Sequence, residues 1–162
     1  MTQSILDGKR ILAIDDEPDV LAVLEDEIAY KCPNAKFEKA TNYEDAKKLL
    51  ESQNYDVVVL DIMGVRGFDL LEIAVKRNLK VAMLTAHALT PEALKRSYEM
   101  KARAYLPKNK LGEVVPFLED VLKYDYQSGW KRLFEKLHGF FSQAFESDWE
   151  KKTGLNWREW GK

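Results

Sequence analysis

The chain predicts an α/β fold, a five-stranded parallel sheet with helices on both faces and a C-terminal helical extension, and three observations predict it. Short, apolar, partly β-branched runs such as KRILAI, YDVVVL and KVAMLT have the composition of strands buried on both faces. Segments with apolar residues at helical spacing alternate with these runs up to about Tyr124, which gives five βα units and hence parallel pairing. From Asp125 onward the alternation stops, no strand pattern follows, and all four tryptophans are found there. Two parts are therefore expected, residues 1–124 and residues 125–162.

Each element has its own signal. KRILAI is the first strand, and Pro18 suits the first turn of a helix whose buried face is Val20, Leu21, Leu24 and Ile28. KFEKA is a weaker strand. Asn42 caps the helix NYEDAKKLLESQ, with Ala46, Leu49 and Leu50 turned inward. YDVVVL is the most apolar strand, and GFDLLEIAVKR is a short helix behind it. KVAMLT ends at Thr85; Thr90, Pro91 and Glu92 then supply a cap, a first-turn proline and an early acid for ALKRSYEMK. AYL is the fifth strand. LGEVVPFLEDVLKY is the fifth helix, in which Pro116 is tolerable only near the first turn.

In the extension, Trp130, Leu133, Phe134, Leu137, Phe140, Phe141, Ala144, Phe145 and Trp149 form one stripe at three-and-four spacing, with Ser128 as its cap. So much aromatic surface is expected to be buried, against the preceding domain or in a homodimer through the stripe. A groove-binding helix for a partner protein and an interfacial membrane helix are two further readings.

Charge and composition exclude several classes. The net charge is −2 with both signs interspersed, so there is no electrostatic footprint for nucleic acid. One cysteine, Cys32, cannot form an intrachain disulfide and fits a reducing compartment. The N-terminal residues MTQSILDGKR lack an apolar signal core, and no apolar run approaches membrane-spanning length, so a cytoplasmic location is expected.

The chemistry lies at the strand ends. Asp15 and Asp16 close the first strand, Asp61 the third, Thr85 the fourth, and Lys108 follows the fifth. Alone, each aspartate reads as a turn or a cap, Thr85 as a β-branched strand residue and Lys108 as a solvated loop lysine. Together they sit at the carboxyl edge of an open α/β sheet, where ligands gather. Converging carboxylates repel one another unless a cation intervenes, and magnesium takes hard oxygen ligands of this kind. Asp16 and Asp61 suit direct ligation and Asp15 ligation through water, with a backbone carbonyl just after Asp61 as a further ligand. Asp61 also suits attack on a phosphoryl group, while Lys108 and the Thr85 hydroxyl face the phosphoryl oxygens.

These residues, in IDDEPDVL, VVVLDIMG, AMLTAHAL and AYLPK, resemble the receiver domain of two-component response regulators over about residues 9–124. The resemblance implies a flavodoxin-like, doubly wound sheet in the order 2-1-3-4-5. It further implies that Asp15 and Asp16 hold Mg2+ with the Met63 backbone carbonyl, and that Asp61 accepts phosphate from a sensor histidine kinase or phosphotransfer protein. Thr85 and Lys108 would contact the phosphoryl group, and Tyr105 matches the family's switch aromatic. Met63 and His87, two residues beyond Asp61 and Thr85, occupy positions that flank the attacking water in dephosphorylation. The sequence departs from the family at four places. Asn109 follows Lys108 where proline in a cis peptide is usual, and Val65 replaces a customary proline. The interval from Asp61 to Thr85 is short, and Lys101 stands where a helix-ending glycine is typical.

The expected function is therefore a phosphoacceptor switch on a protein-interaction surface, not an enzyme beyond its own phosphorylation and dephosphorylation. A degenerate receiver acting as a phosphorylation-independent interaction module is the alternative. A haloacid-dehalogenase-like phosphatase would need a second acid two residues after the nucleophile, and Met63 stands there.

Overall fold

The three apolar runs become the middle of the sheet. The computed structural model describes residues 3–86, 90–145 and 148–160. Strands β1 (Arg10–Ile14), β2 (Lys36–Ala40), β3 (Val57–Asp61), β4 (Val81–Thr85) and β5 (Ala104–Pro107) alternate with helices α1 (Pro18–Lys31), α2 (Tyr43–Ser52), α3 (Gly67–Lys76), α4 (Pro91–Glu99) and α5 (Val114–Lys123). All pairings are parallel, and the strand order is β2-β1-β3-β4-β5, as expected. Every residue of β3 and β4 is buried, which is why their sequences are continuously apolar. β2 lies at the sheet edge with its first four residues exposed or half-buried, which accounts for its weaker pattern.

This order makes the site. From β1 the chain steps one way to β2 and the other way to β3, so the helices leaving β1 and β3 diverge and open a crevice at their carboxyl ends. Asp15 and Asp16 directly follow β1, and Asp61 is the last residue of β3.

Local chemistry fixes most helix starts. Asn42 accepts the Asp45 N–H at 2.9 Å, and Thr90 accepts the Ala93 N–H at 3.0 Å. Pro18 opens α1, and Pro116 is the third residue of α5, where the missing N–H is harmless. A 3-10 segment, Lys108–Glu113, precedes α5, so that helix starts later than its apolar spacing suggests. Among the described residues every peptide bond is trans, including that between Lys108 and Asn109. Lys101 adopts φ 75°, the left-handed conformation that a glycine would take without steric cost.

The extension folds back on the sheet. Helix α6 (Tyr126–Ala144) begins at Asp125, whose carboxylate accepts the Ser128 N–H at 2.9 Å. The cap is thus Asp125 and not Ser128. The stripe is also not one helix: α6 ends at Ala144, which is exposed, Phe145 is extended, and Trp149 opens a separate short helix, α7 (Trp149–Thr153). Trp130, Phe134, Phe141 and Trp149 are nevertheless fully buried, each worth about 1.5–3 kcal/mol of transfer from water. They pack within the chain, against α4, β5 and α5. The Trp130 indole N–H donates to the Ala102 carbonyl at 2.7 Å, just before β5. Asp120 of α5 pairs with Arg132 at 3.1 Å and Lys136 at 2.5 Å. Among the described residues no helix is long and apolar enough to cross a membrane.

Candidate functional site

Four side chains meet at the carboxyl edge of the sheet. Asp15, Asp16 and Asp61 each offer a carboxylate oxygen, and these oxygens lie within 4.8 Å of one another. Lys108, the residue after β5, reaches back over that edge: its Nζ is 2.8 Å from Asp15 Oδ2 and 3.2 Å from Asp61 Oδ1. Its side chain is only 10 % exposed. Asp15 is anchored on both sides, its backbone N–H donating to the Ala40 carbonyl at 3.1 Å and its Oδ1 accepting the Glu17 N–H at 2.9 Å.

The electrostatics follow from burial. Asp61 is pushed up to about 6, first by burial, then by the charge of Asp15, against the pull of Lys108; Asp16 raises it further. Asp15 is raised as well, by burial first, with the bond to Lys108 opposing. For Lys108, burial pulls downward, but the bonds and charges of Asp15 and Asp61 outweigh it and hold the ammonium up at about 12.

These features fit a hard divalent cation. Three carboxylates converge with one lysine, too little cationic charge to balance them. The loop beyond β3 is shaped around Asp16: Gly64 takes φ +84°, and a Cβ there would fall 2.5 Å from the Asp16 carboxylate. Gly67 closes the same loop, since a Cβ would fall 2.2 Å from the Asp61 carbonyl oxygen. The short interval between Asp61 and Thr85 is thus accompanied by a tight turn built on these glycines.

Thr85 ends β4 beside Asp61, in a register that pairs Asp61 with Leu84. It is 1 % exposed, its Oγ1 makes no hydrogen bond of good geometry, and the Tyr105 phenol is its polar neighbour. The Tyr105 hydroxyl is raised by burial, with the contacts to Thr90 and Thr85 opposing. Met63 is 55 % exposed. His87 lies outside the described residues. Two contributors escape the sequence reading. Glu17 looks like a helix-start acid, yet its carboxylate makes no cap and instead bonds Lys108 at 3.2 Å. No local signal links residues so far apart. Gly64, by contrast, had one: a glycine three residues after a strand-ending aspartate marks a place where backbone approaches a ligand.

A parallel sheet in this order, with acids closing β1 and β3 and a lysine closing β5, defines a receiver-type fold and site. Residues 11–115 match the response regulator receiver domain family, and the chain belongs to it. A two-component response regulator of Arabidopsis thaliana is 36 % identical over 84 residues, which is 50 % of this chain and 13 % of that relative. The chain therefore spans a small part of that protein's length. Three crystal structures share the fold. A CheY-like receiver domain protein from Methanospirillum hungatei JF-1 has TM-score 0.59 and 24 % identity over 71 % of this chain and 96 % of its own. A response regulator from Thermotoga maritima has TM-score 0.63 and 17 % identity, covering 72 % and 98 %. A LuxR-family two-component response regulator from Aurantimonas sp. SI85-9A1 has TM-score 0.64 and 22 % identity, covering 71 % and 85 %.

Proposed function

We propose that the chain is a phosphorylation switch in which Asp61 accepts a phosphoryl group, with magnesium, from a histidine kinase or phosphotransfer protein. The observation that carries this reading is the Lys108 ammonium, 3.2 Å from Asp61 Oδ1 in a nest of three convergent carboxylates. Asp15 and Asp16 would hold the metal together with Asp61 and the backbone carbonyl of Met63. Magnesium bound there would neutralise charge on the phosphoryl oxygens and align them with the nucleophile.

The residues supply the rest. With its carboxyl at about 6, Asp61 is mostly ionised at neutral pH and so keeps a nucleophilic oxygen. That oxygen forms the new P–O bond as the P–N bond to the donor imidazole breaks and the imidazole leaves with the bonding electrons. Lys108 remains charged throughout this range and offers its ammonium to a transferred oxygen. Thr85 has a buried hydroxyl hydrogen to donate to another. The acyl phosphate then biases the Thr85–Tyr105 region between two arrangements and alters a protein-binding face.

The test is incubation with acetyl phosphate and magnesium followed by intact-mass measurement. The wild type is expected to gain one phosphoryl mass, and neither Asp61→Asn nor the chelated wild type to gain any. An unchanged yield in Asp61→Asn sinks the assignment. A wild type that never gains mass would leave a receiver used as an interaction module.

A further inference from the structure

The docked extension reaches the same residues that the phosphoacceptor reading sets in motion. Thr85 follows Leu84, the register partner of Asp61, on the neighbouring strand, and Tyr105 on β5 is the register partner of Met83. The Tyr105 ring is fully buried, and part of its cover is Phe141 of α6, whose ring centroid lies 6.1 Å away at 56°. The extension grips both flanks of this spot. On one side, the Trp130 indole bonds the Ala102 carbonyl before β5. On the other, the Tyr98 ring of α4 has the Tyr126 ring 5.0 Å away and stacks on Trp160 at 5.1 Å. The Tyr126 hydroxyl also donates to the Tyr98 carbonyl.

We propose that α6, α7 and Trp160 form an intramolecular latch: docked over α4 and β5 they hold the Tyr105 ring in place, and phosphorylation of Asp61 loosens them. This rests on Asp61 being the phosphoacceptor. The physical link is the Thr85 hydroxyl, buried with no hydrogen bond of good geometry and one strand from Asp61. A phosphoryl oxygen on Asp61 is an acceptor for that hydroxyl, and Thr85 moving toward it vacates space beside the Tyr105 ring. When the ring follows, Phe141 loses the surface it packs on. Interiors are close-packed, so the loss is met by a discrete rearrangement rather than a gradual one. The face uncovered is the one between α4 and β5, lined by Tyr98 and Tyr105. Coupling is reciprocal, so anything that weakens docking also favours the phosphorylated form.

The extension contains all four tryptophans, so their fluorescence reports docking directly. The experiment treats the full chain with acetyl phosphate and magnesium, and follows intact mass, tryptophan emission and hydrogen exchange of the 130–141 segment in parallel. Phosphorylated wild type is expected to exchange that segment at least about 5-fold faster, with red-shifted emission, and Asp61→Asn to show neither change. Phe141→Leu, a mild truncation chosen to keep the fold, is expected to raise the steady-state phosphorylated fraction relative to wild type. Full phosphorylation with unchanged or slower exchange overturns the latch while leaving the phosphoacceptor reading intact. A wild type that gains no phosphoryl mass overturns the phosphoacceptor reading, and the latch with it.

Discussion

Replacing Asp61 with asparagine is expected to stabilise the metal-free protein at neutral pH. Asp61 is 3 % exposed, and its carboxyl rises from 3.8 to about 6 because burial and then the Asp15 charge outweigh Lys108. A carboxyl whose folded value exceeds its unfolded value contributes stability that is complete below the unfolded value, near 3.8, and lost as pH rises through about 6. The full loss is about 3 kcal/mol, most of it developing between roughly pH 4 and pH 7. Asparagine cannot ionise, so it escapes this penalty, although it accepts a weaker bond from Lys108. A net gain of about 1–3 kcal/mol at pH 7.5 is expected, or about 2–12 °C in Tm for a chain of this size. The assay is urea or thermal unfolding in chelator at pH 4.5 and pH 7.5. Asp15 is raised in the same direction, again by burial first, and because its charge is one cause of the Asp61 shift the two carboxyls titrate as a pair, so the gap reports both. Added magnesium should narrow or reverse the gap, because it binds the wild-type site and stabilises by about 2.7 kcal/mol at 100 times its Kd. An asparagine variant less stable than wild type in chelator at pH 7.5, or a gap that does not change with pH, would show that the Asp61 carboxylate carries no burial penalty.

Three further outcomes follow from the geometry. Lys108→Met leaves Asp15 and Asp61 without their buried counter-charge, so unfolding at pH 7.5 should show a loss of about 3 kcal/mol or more, relieved as pH falls and the carboxyls protonate. Gly64→Ala places a methyl 2.5 Å from the Asp16 carboxylate at φ +84°; a magnesium titration of Tm should show roughly 10-fold weaker binding, with only a modest loss of metal-free stability. Trp130→Phe orphans the buried Ala102 carbonyl and should cost about 1–3 kcal/mol in chemical denaturation.

The sheet was legible because burial on both faces writes a continuous apolar string, as in β3 and β4, and because those two strands close on Asp61 and Thr85. The acids and lysine of the site were legible through topology: alternation implies a parallel sheet, and a parallel sheet gathers its strand ends at one edge. The extension was legible as a buried aromatic stripe but not as a path. Phe141, Phe145 and Trp149 keep four-residue spacing across a helix break: Phe145 is extended, Trp149 opens a separate helix, and their ring centroids still lie 5.9 Å apart. Spacing alone cannot separate those two routes to the same contact. The Asp125 cap was missed because a serine two residues before the first tryptophan satisfied the same rule. Glu17 was invisible as a Lys108 partner because the pair is 91 residues apart and only the closed sheet joins them.

In the proposed switch Asp61 itself carries the phosphoryl group. Borohydride reduces an aspartyl acyl phosphate to homoserine, so acetyl phosphate and magnesium followed by borohydride and peptide mapping mark the residue directly. Homoserine is expected at residue 61 alone, with Asp15 and Asp16 recovered as aspartate and no homoserine when magnesium is chelated. Homoserine at Asp15 or Asp16, or unmodified Asp61 in protein that carries phosphoryl mass, would place the phosphoryl group on another residue and rule out Asp61 as the acceptor.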